Sequence, residues 1–258
     1  MFFDDPQISN IIFYPRKHSL PTQLEPFIDV LKFQISDEIL IGGFFYQNDL
    51  NLPTILLFHG NGEIAFEYQY FAPLFFECGV NLAVVDYRGY GFSTGRPAFS
   101  KLFEDAYPVY QQFTAWMKEK GLNDSHFILG RSLGSTCAAE IGSKNPAGLR
   151  GVIFESGIGS ALRILTDLFS VNIPQDTLDS LKEWSNDTKA AKFKKPVLII
   201  HGTSDWIVPS KHAQILFDAL PDAIEKKLVY IEGAGHNTIF QFKDEYFKPL
   251  KNFIEEFK

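Results

Sequence analysis

Short runs of apolar residues alternate along this chain with longer segments in which polar and apolar residues mix. Two apolar runs, at 28–35 and 39–46, flank the polar turn Ser36-Asp37-Glu38 and predict a β-hairpin. Further strands are predicted at 54–58, 81–86, 126–130, 151–154, 196–200 and 228–231, and helices at 63–78, 101–120, 132–144, 210–220 and 239–257. Continuous apolar strands that alternate with helices predict an α/β fold, in which helices cover both faces of a mostly parallel sheet.

The segment at 157–192 interrupts this alternation, since one helix would be enough to connect the strands on either side of it. A structureless loop of that length is unusual in a compact domain. Its apolar spacing predicts two short helices, the first carrying Ala161, Leu162, Leu165, Leu168 and Phe169 and the second Leu178, Leu181 and Trp184. We interpret it as a small cap over the carboxyl-terminal edge of the sheet, within a single domain of residues 1–258. An ordinary helical hairpin on the surface is the alternative.

A G-x-S-x-G sequence occurs twice, at 91–95 and at 130–134. The copy around Ser132 follows a predicted strand and opens a predicted helix. This context is typical of a nucleophile elbow, a sharp turn that lifts a serine hydroxyl clear of the sheet. The copy around Ser93 has loop residues on both sides. We therefore predict that Ser132 is a nucleophile and interpret Ser93 as a loop hydroxyl that bonds to nearby backbone.

A nucleophilic serine needs a general base, and that base needs an acid to orient it. In a parallel sheet these groups must converge at the carboxyl ends of the strands. His236 follows the last predicted strand and is the predicted base, whereas His59 and His201 each precede a glycine and are interpreted as packing residues. Asp205 follows the strand before that one and is the predicted acid, with Glu155 as the alternative.

Acyl transfer also needs an oxyanion hole, because the tetrahedral intermediate carries negative charge on oxygen. The backbone N–H of Leu133, directly after the predicted nucleophile, is one expected donor. The second should come from the loop after strand 54–58, where Asn61 is the predicted donor and Gly62 the alternative. This loop lacks the G-K-[ST] ending of a P-loop, which argues against a phosphate-binding role.

Taken together, these segments resemble the α/β-hydrolase superfamily. The matching segments, in the family's order, are His59-Gly60-Asn61-Gly62, residues 86–95, residues 130–134, His201-Gly202-Thr203-Ser204-Asp205 and Gly233-Ala234-Gly235-His236. The chain is most similar to a small-cap branch that includes monoacylglycerol lipases, protein depalmitoylases and serine aminopeptidase-like hydrolases. The resemblance implies a Ser-His-Asp triad with no metal and no organic cofactor. It also implies that residues 86–95 form a structural loop beside the site.

Composition limits which partners are expected and which cellular compartment is predicted. The chain has 258 residues and a formal net charge of −7, without a Lys/Arg run, so a nucleic-acid partner is not expected. Two cysteines and the absence of a signal-peptide pattern predict a cytoplasmic protein. No stretch approaches the ~20 apolar residues of a transmembrane helix.

The expected activity is that of a serine hydrolase. We predict that it cleaves carboxylic ester or thioester bonds of small to medium acyl substrates through an acyl-enzyme intermediate. A serine peptidase or aminopeptidase-like hydrolase is one alternative. A catalytically silent binding module with the same fold is the other.

Overall fold

The computed structural model describes residues 4–167, residue 170 and residues 172–258. Leu168 and Phe169, predicted to share an apolar helical face, lie outside the described residues. Among the described residues, no helix combines the length and the apolar character that crossing a membrane requires.

Eight strands form one sheet in the described part of the chain. They are β1 (Ile28–Ser36), β2 (Ile39–Tyr46), β3 (Thr54–Phe58), β4 (Asn81–Val85), β5 (His126–Arg131), β6 (Leu149–Glu155), β7 (Val197–Gly202) and β8 (Lys226–Ile231). Their order is β1-β2-β4-β3-β5-β6-β7-β8. The pairings β1/β2 and β2/β4 are antiparallel and the others are parallel, so the predicted mostly parallel sheet is confirmed.

The helices connect the strands and cover the sheet. They are α1 (Pro6–Ile12), α2 (Ala72–Phe76), α3 (Phe99–Lys120), α4 (Ser135–Ser143), α5 (Ala161–Asp167), α6 (Leu178–Trp184), α7 (Asn186–Ala190), α8 (Lys211–Ala219) and α9 (Lys243–Phe257). The prediction of a single helix at 63–78 is wrong. A 3₁₀ segment, Ala65–Tyr70, is followed by the short helix α2. Pro73 explains the break, since proline fits only the first turn of an α-helix.

Apolar side chains alternate between two cores on opposite faces of the sheet. Along β3, Leu56 and Phe58 belong to the core that contains residues of α3, α4 and α8. Ile55 and Leu57 belong to the other core, which contains residues of α2 and α9. Successive side chains of a strand point to opposite faces, so a strand that is buried on both faces is apolar throughout.

The segment at 157–192 contains α5, α6 and α7. Leu165 and Leu181 are buried in the core that includes α3 and α4. Trp184 stacks on Phe103 of α3, with 5.6 Å between the ring centroids. Ile164 of α5 belongs to the same core and also lines a cavity at the carboxyl ends of the parallel strands.

Candidate active site

Ser132 occupies a sharp turn between β5 and α4. Its φ of +50° lies in the left-handed region, which is strained for a residue with a Cβ. The flanking glycines are needed for close approach. A Cβ on Gly134 would lie 2.0 Å from the carbonyl oxygen of Phe58, and a Cβ on Gly130 would lie 2.6 Å from the carbonyl oxygen of Gly134. The turn therefore packs directly against β3 and presents the Ser132 side chain at the edge of the sheet.

The predicted nucleophile, base and acid lie in one chain of hydrogen bonds. The distance from Ser132 Oγ to His236 Nε2 is 2.9 Å. The distance from His236 Nδ1 to Asp205 Oδ2 is 2.7 Å. Because Nδ1 faces a carboxylate, it carries the ring proton and leaves Nε2 free to accept the serine proton. All three residues are buried, although they come from three separate loops.

The carboxylate of Asp205 is fixed by several further contacts. Its Oδ1 accepts the backbone N–H groups of Ile207, at 3.0 Å, and Val208, at 2.8 Å. Burial alone would raise the pKa of Asp205, but contacts with His201 and His236 hold that pKa well below its ordinary value. The group therefore stays ionised and orients the imidazole.

A cavity of about 380 Å³ opens beside the serine hydroxyl. It is lined by Tyr14, Gly60, Asn61, Glu63, Ser132, Leu133, Ile158, Ile164, Ile207, Val208, His236 and Asn237. Asn61 and Leu133, the two predicted oxyanion donors, thus border the same space as the Ser132 side chain. Gly62, the alternative to Asn61, lies in the turn between Asn61 and Glu63 and has a φ of +77°.

The alternative acid, Glu155, hydrogen-bonds to Arg131, whereas the His236 ring hydrogen-bonds to Asp205. Arg131 Nη1 donates to both Glu155 oxygens, at 2.6 and 2.7 Å, and Arg131 Nε donates to Glu63 Oε1 at 2.7 Å. Arg131 Nη2 also donates to the carbonyl oxygen of His236, at 3.2 Å. Glu63 Oε2 in turn accepts the Gly60 N–H at 2.9 Å. One guanidinium therefore links the serine turn, the loop at 59–63 and the loop that carries His236.

This ionic cluster fixes the charge states of its members. Burial would raise the pKa of Glu63, but the adjacent Arg131 guanidinium lowers it to about 2. Burial would likewise lower the pKa of Arg131, but the carboxylates of Glu155 and Glu63 hold it well above its ordinary value. Sequence reasoning did not find this cluster. A signal for it was present in the sequence. Glu63, Arg131 and Glu155 lie at or after the ends of three apolar strands, and neighbouring parallel strands bring these ends together.

The other candidates have structural partners. Ser93 Oγ accepts the backbone N–H of Gly42, at 2.9 Å. His59 contacts the Gly60 carbonyl oxygen at 2.8 Å and Asp86 Oδ1 at 3.2 Å. His201 Nε2 lies 2.7 Å from the Val208 carbonyl oxygen. None of these contacts involves the Ser132 hydroxyl. Across the residues that the structure describes, no three His, Cys, Asp or Glu side chains are grouped to hold a metal ion.

A family model that matches most of the chain identifies its family. Residues 51–167 and 161–242 match the hydrolase family model described as serine aminopeptidase, S33. The chain belongs to this family of α/β hydrolases. The chain is 30% identical over 203 residues, 78% of its length, to alpha/beta hydrolase domain-containing protein 17C of Mus musculus and of Homo sapiens. The aligned region spans only 59% of the mouse protein and 57% of the human one.

Solved structures with similar folds support the assignment of the fold. The esterase Pf2001 of Pyrococcus furiosus superposes with a TM-score of 0.73 at 17% identity, over 94% of this chain and 96% of that one. An acylaminoacyl peptidase of Pyrococcus horikoshii gives a TM-score of 0.69 at 19% identity, over 89% of this chain and 41% of that one. These likenesses confirm the α/β-hydrolase fold.

Proposed function

We propose that this protein is a serine hydrolase that cleaves ester or thioester bonds of small to medium acyl substrates. The observation that carries the proposal is the continuous contact from Ser132 Oγ through His236 to the Asp205 carboxylate, with distances of 2.9 and 2.7 Å. In this arrangement a base can take the serine proton while a fixed carboxylate stabilises the resulting imidazolium.

The reaction runs in two halves. Ser132 Oγ attacks the acyl carbonyl carbon while its proton passes to His236 Nε2, and the carbonyl oxygen becomes an oxyanion. The backbone N–H groups of Leu133 and Asn61 are the proposed donors to that oxyanion. The imidazolium then gives its proton to the departing alcohol or thiol, and an acyl-serine remains. Water, deprotonated by His236, attacks the acyl-serine and releases the carboxylic acid and the free serine.

The lining of the cavity supports an acyl substrate. The loops after β6 and β7, together with α5, contribute Ile158, Ile164, Ile207 and Val208 to the lining. Apolar contact suits an acyl chain, whereas the volume of about 380 Å³ suits one of small to medium length.

A serine aminopeptidase would bind a free substrate amine, for which a carboxylate is the usual partner. The family description makes this the second candidate. The one carboxylate among the described lining residues is Glu63. Its Oε1 accepts from Arg131, and its Oε2 accepts from the Gly60 N–H and the Tyr68 hydroxyl. Because both oxygens are engaged and a guanidinium compensates the charge, this carboxylate offers an amine little attraction.

The test compares three substrate classes on the purified chain. We expect p-nitrophenyl acetate and butyrate, and a short acyl thioester, to be hydrolysed faster than an aminoacyl p-nitroanilide. A fluorophosphonate probe should label the wild type and fail to label Ser132→Ala. Faster hydrolysis of the aminoacyl anilide would favour the aminopeptidase, whereas a folded protein without labelling or turnover would favour a binding module.

A matched pair on α5 tests the acyl side of the cavity. Ile164→Ala removes a lining residue and should change the ratio of kcat/KM between butyryl and octanoyl esters by about 10- to 100-fold at most. Leu162→Ala, on the same helix, changes a side chain that is 41% exposed and does not line the cavity, so the ratio should be unchanged. Equal ratios in both variants would place the acyl chain elsewhere.

A further inference from the structure

Residues 12–16, here named the N-terminal strap, cross the loop that carries Asn61. The strap precedes both the first strand, which begins at Ile28, and the family match, which begins at residue 51. Ile12 and Phe13 are buried in the core that contains residues of α3, α4 and α8, and they anchor the strap. Tyr14 is 60% exposed and lines the cavity beside Ser132.

The Asn61 side chain is held by the strap and by one tyrosine. Asn61 Nδ2 donates to the carbonyl oxygen of Ile12, at 2.6 Å. Asn61 Oδ1 accepts the Tyr14 backbone N–H, at 3.0 Å, and the Tyr90 hydroxyl, at 2.6 Å. Both polar atoms of the side chain are therefore engaged by partners within the protein. Such a side chain sets the position of its own backbone N–H.

The strap also hydrogen-bonds to Gly62, the next residue of the loop. Arg16 Nη1 donates to the carbonyl oxygen of Gly62, at 3.1 Å. The same guanidinium is held by both carboxylate oxygens of Glu67, at 2.7 and 2.8 Å. Glu63 Oε2 accepts the Gly60 N–H at 2.9 Å. The backbone around Asn61 is therefore fixed at three consecutive residues.

We infer that the N-terminal strap is a positioning element of the oxyanion hole. This inference rests on the proposed function, in which the Asn61 N–H binds the oxyanion. Catalysis by such a donor depends on its placement before the reaction, and a displacement of about 1 Å can cost on the order of 100-fold in rate. The strap supplies that placement through Asn61 and Gly62, although no strap residue needs to touch the oxyanion.

The main variant is Asn61→Ala, which removes the three side-chain hydrogen bonds but keeps the backbone N–H. We expect kcat for p-nitrophenyl acetate to fall by about 10- to 100-fold, with KM changed less than about twofold. Inhibition by a trifluoromethyl ketone, whose hemiketal mimics the oxyanion, should weaken in proportion to kcat/KM.

Two adjacent cations provide the matched control. Arg16 is half exposed, with a side-chain exposure of 51%, so Arg16→Met should fold. It removes the bond to Gly62 and should lower kcat by about 2- to 10-fold. Lys17 lies outside the strap, and its Nζ donates to the Ser93 carbonyl oxygen at 2.6 Å. Lys17→Met removes an equivalent bond to a different loop, so its kcat should match that of the wild type.

Hydrogen exchange gives a readout that does not depend on turnover. Amides at 60–62 should exchange faster in Asn61→Ala and Arg16→Met than in the wild type or Lys17→Met. Unchanged exchange in both Asn61→Ala and Arg16→Met would overturn the inference, and so would faster exchange with wild-type kcat. A wild-type protein that fluorophosphonate fails to label would instead overturn the proposed function, and exchange alone would then show whether the strap holds the loop.

Discussion

The two G-x-S-x-G segments adopt opposite backbone arrangements. At 130–134 the positive φ falls on the serine itself, +50° at Ser132. At 91–95 it falls on the glycines, +49° at Gly91 and +75° at Gly95, and the φ of Ser93 is not positive. The first segment thus stores strain at the residue that is proposed to react, whereas the second relieves strain through residues that have no Cβ.

The two hydroxyls also have opposite partners. Ser132 Oγ faces the imidazole nitrogen of His236, to which it can donate its proton. Ser93 Oγ accepts the N–H of Gly42 in β2 and is buried. The same five-residue pattern therefore presents a hydroxyl to a base in one loop and fastens a loop to the sheet in the other. Whether the serine of this pattern can act as a nucleophile therefore depends on the partner of its hydroxyl, which the pattern itself does not specify.

The largest contrast is expected from deleting each hydroxyl in turn and measuring activity. Ser132→Ala should lower kcat by on the order of 10⁶ and abolish fluorophosphonate labelling, because no nucleophile remains beside His236. Ser93→Ala should keep labelling and kcat per folded molecule. Labelling that survives in Ser132→Ala and disappears in Ser93→Ala would reverse the assignment of the two segments.

The next contrast concerns the acid that orients His236, for which Asp205 and Glu155 are the two candidates. Asp205→Asn keeps the shape of the side chain but no longer holds the His236 tautomer, so kcat should fall by on the order of 10⁴. Glu155→Gln should cost far less in kcat, since Glu155 bonds to Arg131 and not to the imidazole. Steady-state kinetics on both variants, with circular dichroism to confirm folding, decide the point. A larger loss in Glu155→Gln would transfer the role of acid to Glu155.

Glycine substitutions test the two turns through stability. A Cβ at Gly134 meets a backbone atom of β3 at 2.0 Å, so Gly134→Ala should cost several kcal/mol, about 3 or more, or prevent folding. A Cβ at Gly95 meets the end of the Ile39 side chain at 2.8 Å, which can move. Gly95→Ala should cost about 1–2 kcal/mol for the positive φ. Urea denaturation measures both, and a greater loss for Gly95→Ala would contradict this ranking.

Much of this organisation could be predicted from sequence because parallel central strands are apolar on both faces. The runs at 39–46 and 54–58 match β2 and β3 residue for residue. Ser132, Asp205 and His236 could be chosen because each follows an apolar strand, and such strands end at one edge of the sheet. Their catalytic roles stay predictions until the variants are measured.

The missed features depend on contacts between distant segments. Arg131 stands at a variable position of the G-x-S-x-G pattern, and no local signal says that it is buried between Glu63 and Glu155. The strap has no apolar periodicity long enough to predict an element, yet Tyr14 reaches the cavity. Leu165 and Ile164 both pack in the core that includes α3 and α4, and only Ile164 of the two also lines the cavity, a distinction that helical spacing alone does not make.

The smallest expected contrast is the stability cost of each lost hydroxyl. Ser93→Ala leaves the Gly42 N–H buried without its acceptor, which should cost about 1–3 kcal/mol of unfolding free energy. For a chain of this size that corresponds to a fall in Tm of about 2–4 °C per kcal/mol. Ser132→Ala breaks only the contact with His236 and should leave Tm closer to that of the wild type. Differential scanning fluorimetry of the two variants would then rank them in the opposite order from the activity assay. If Ser132→Ala were the less stable variant, the Ser93 hydroxyl would not be what fastens its loop to β2.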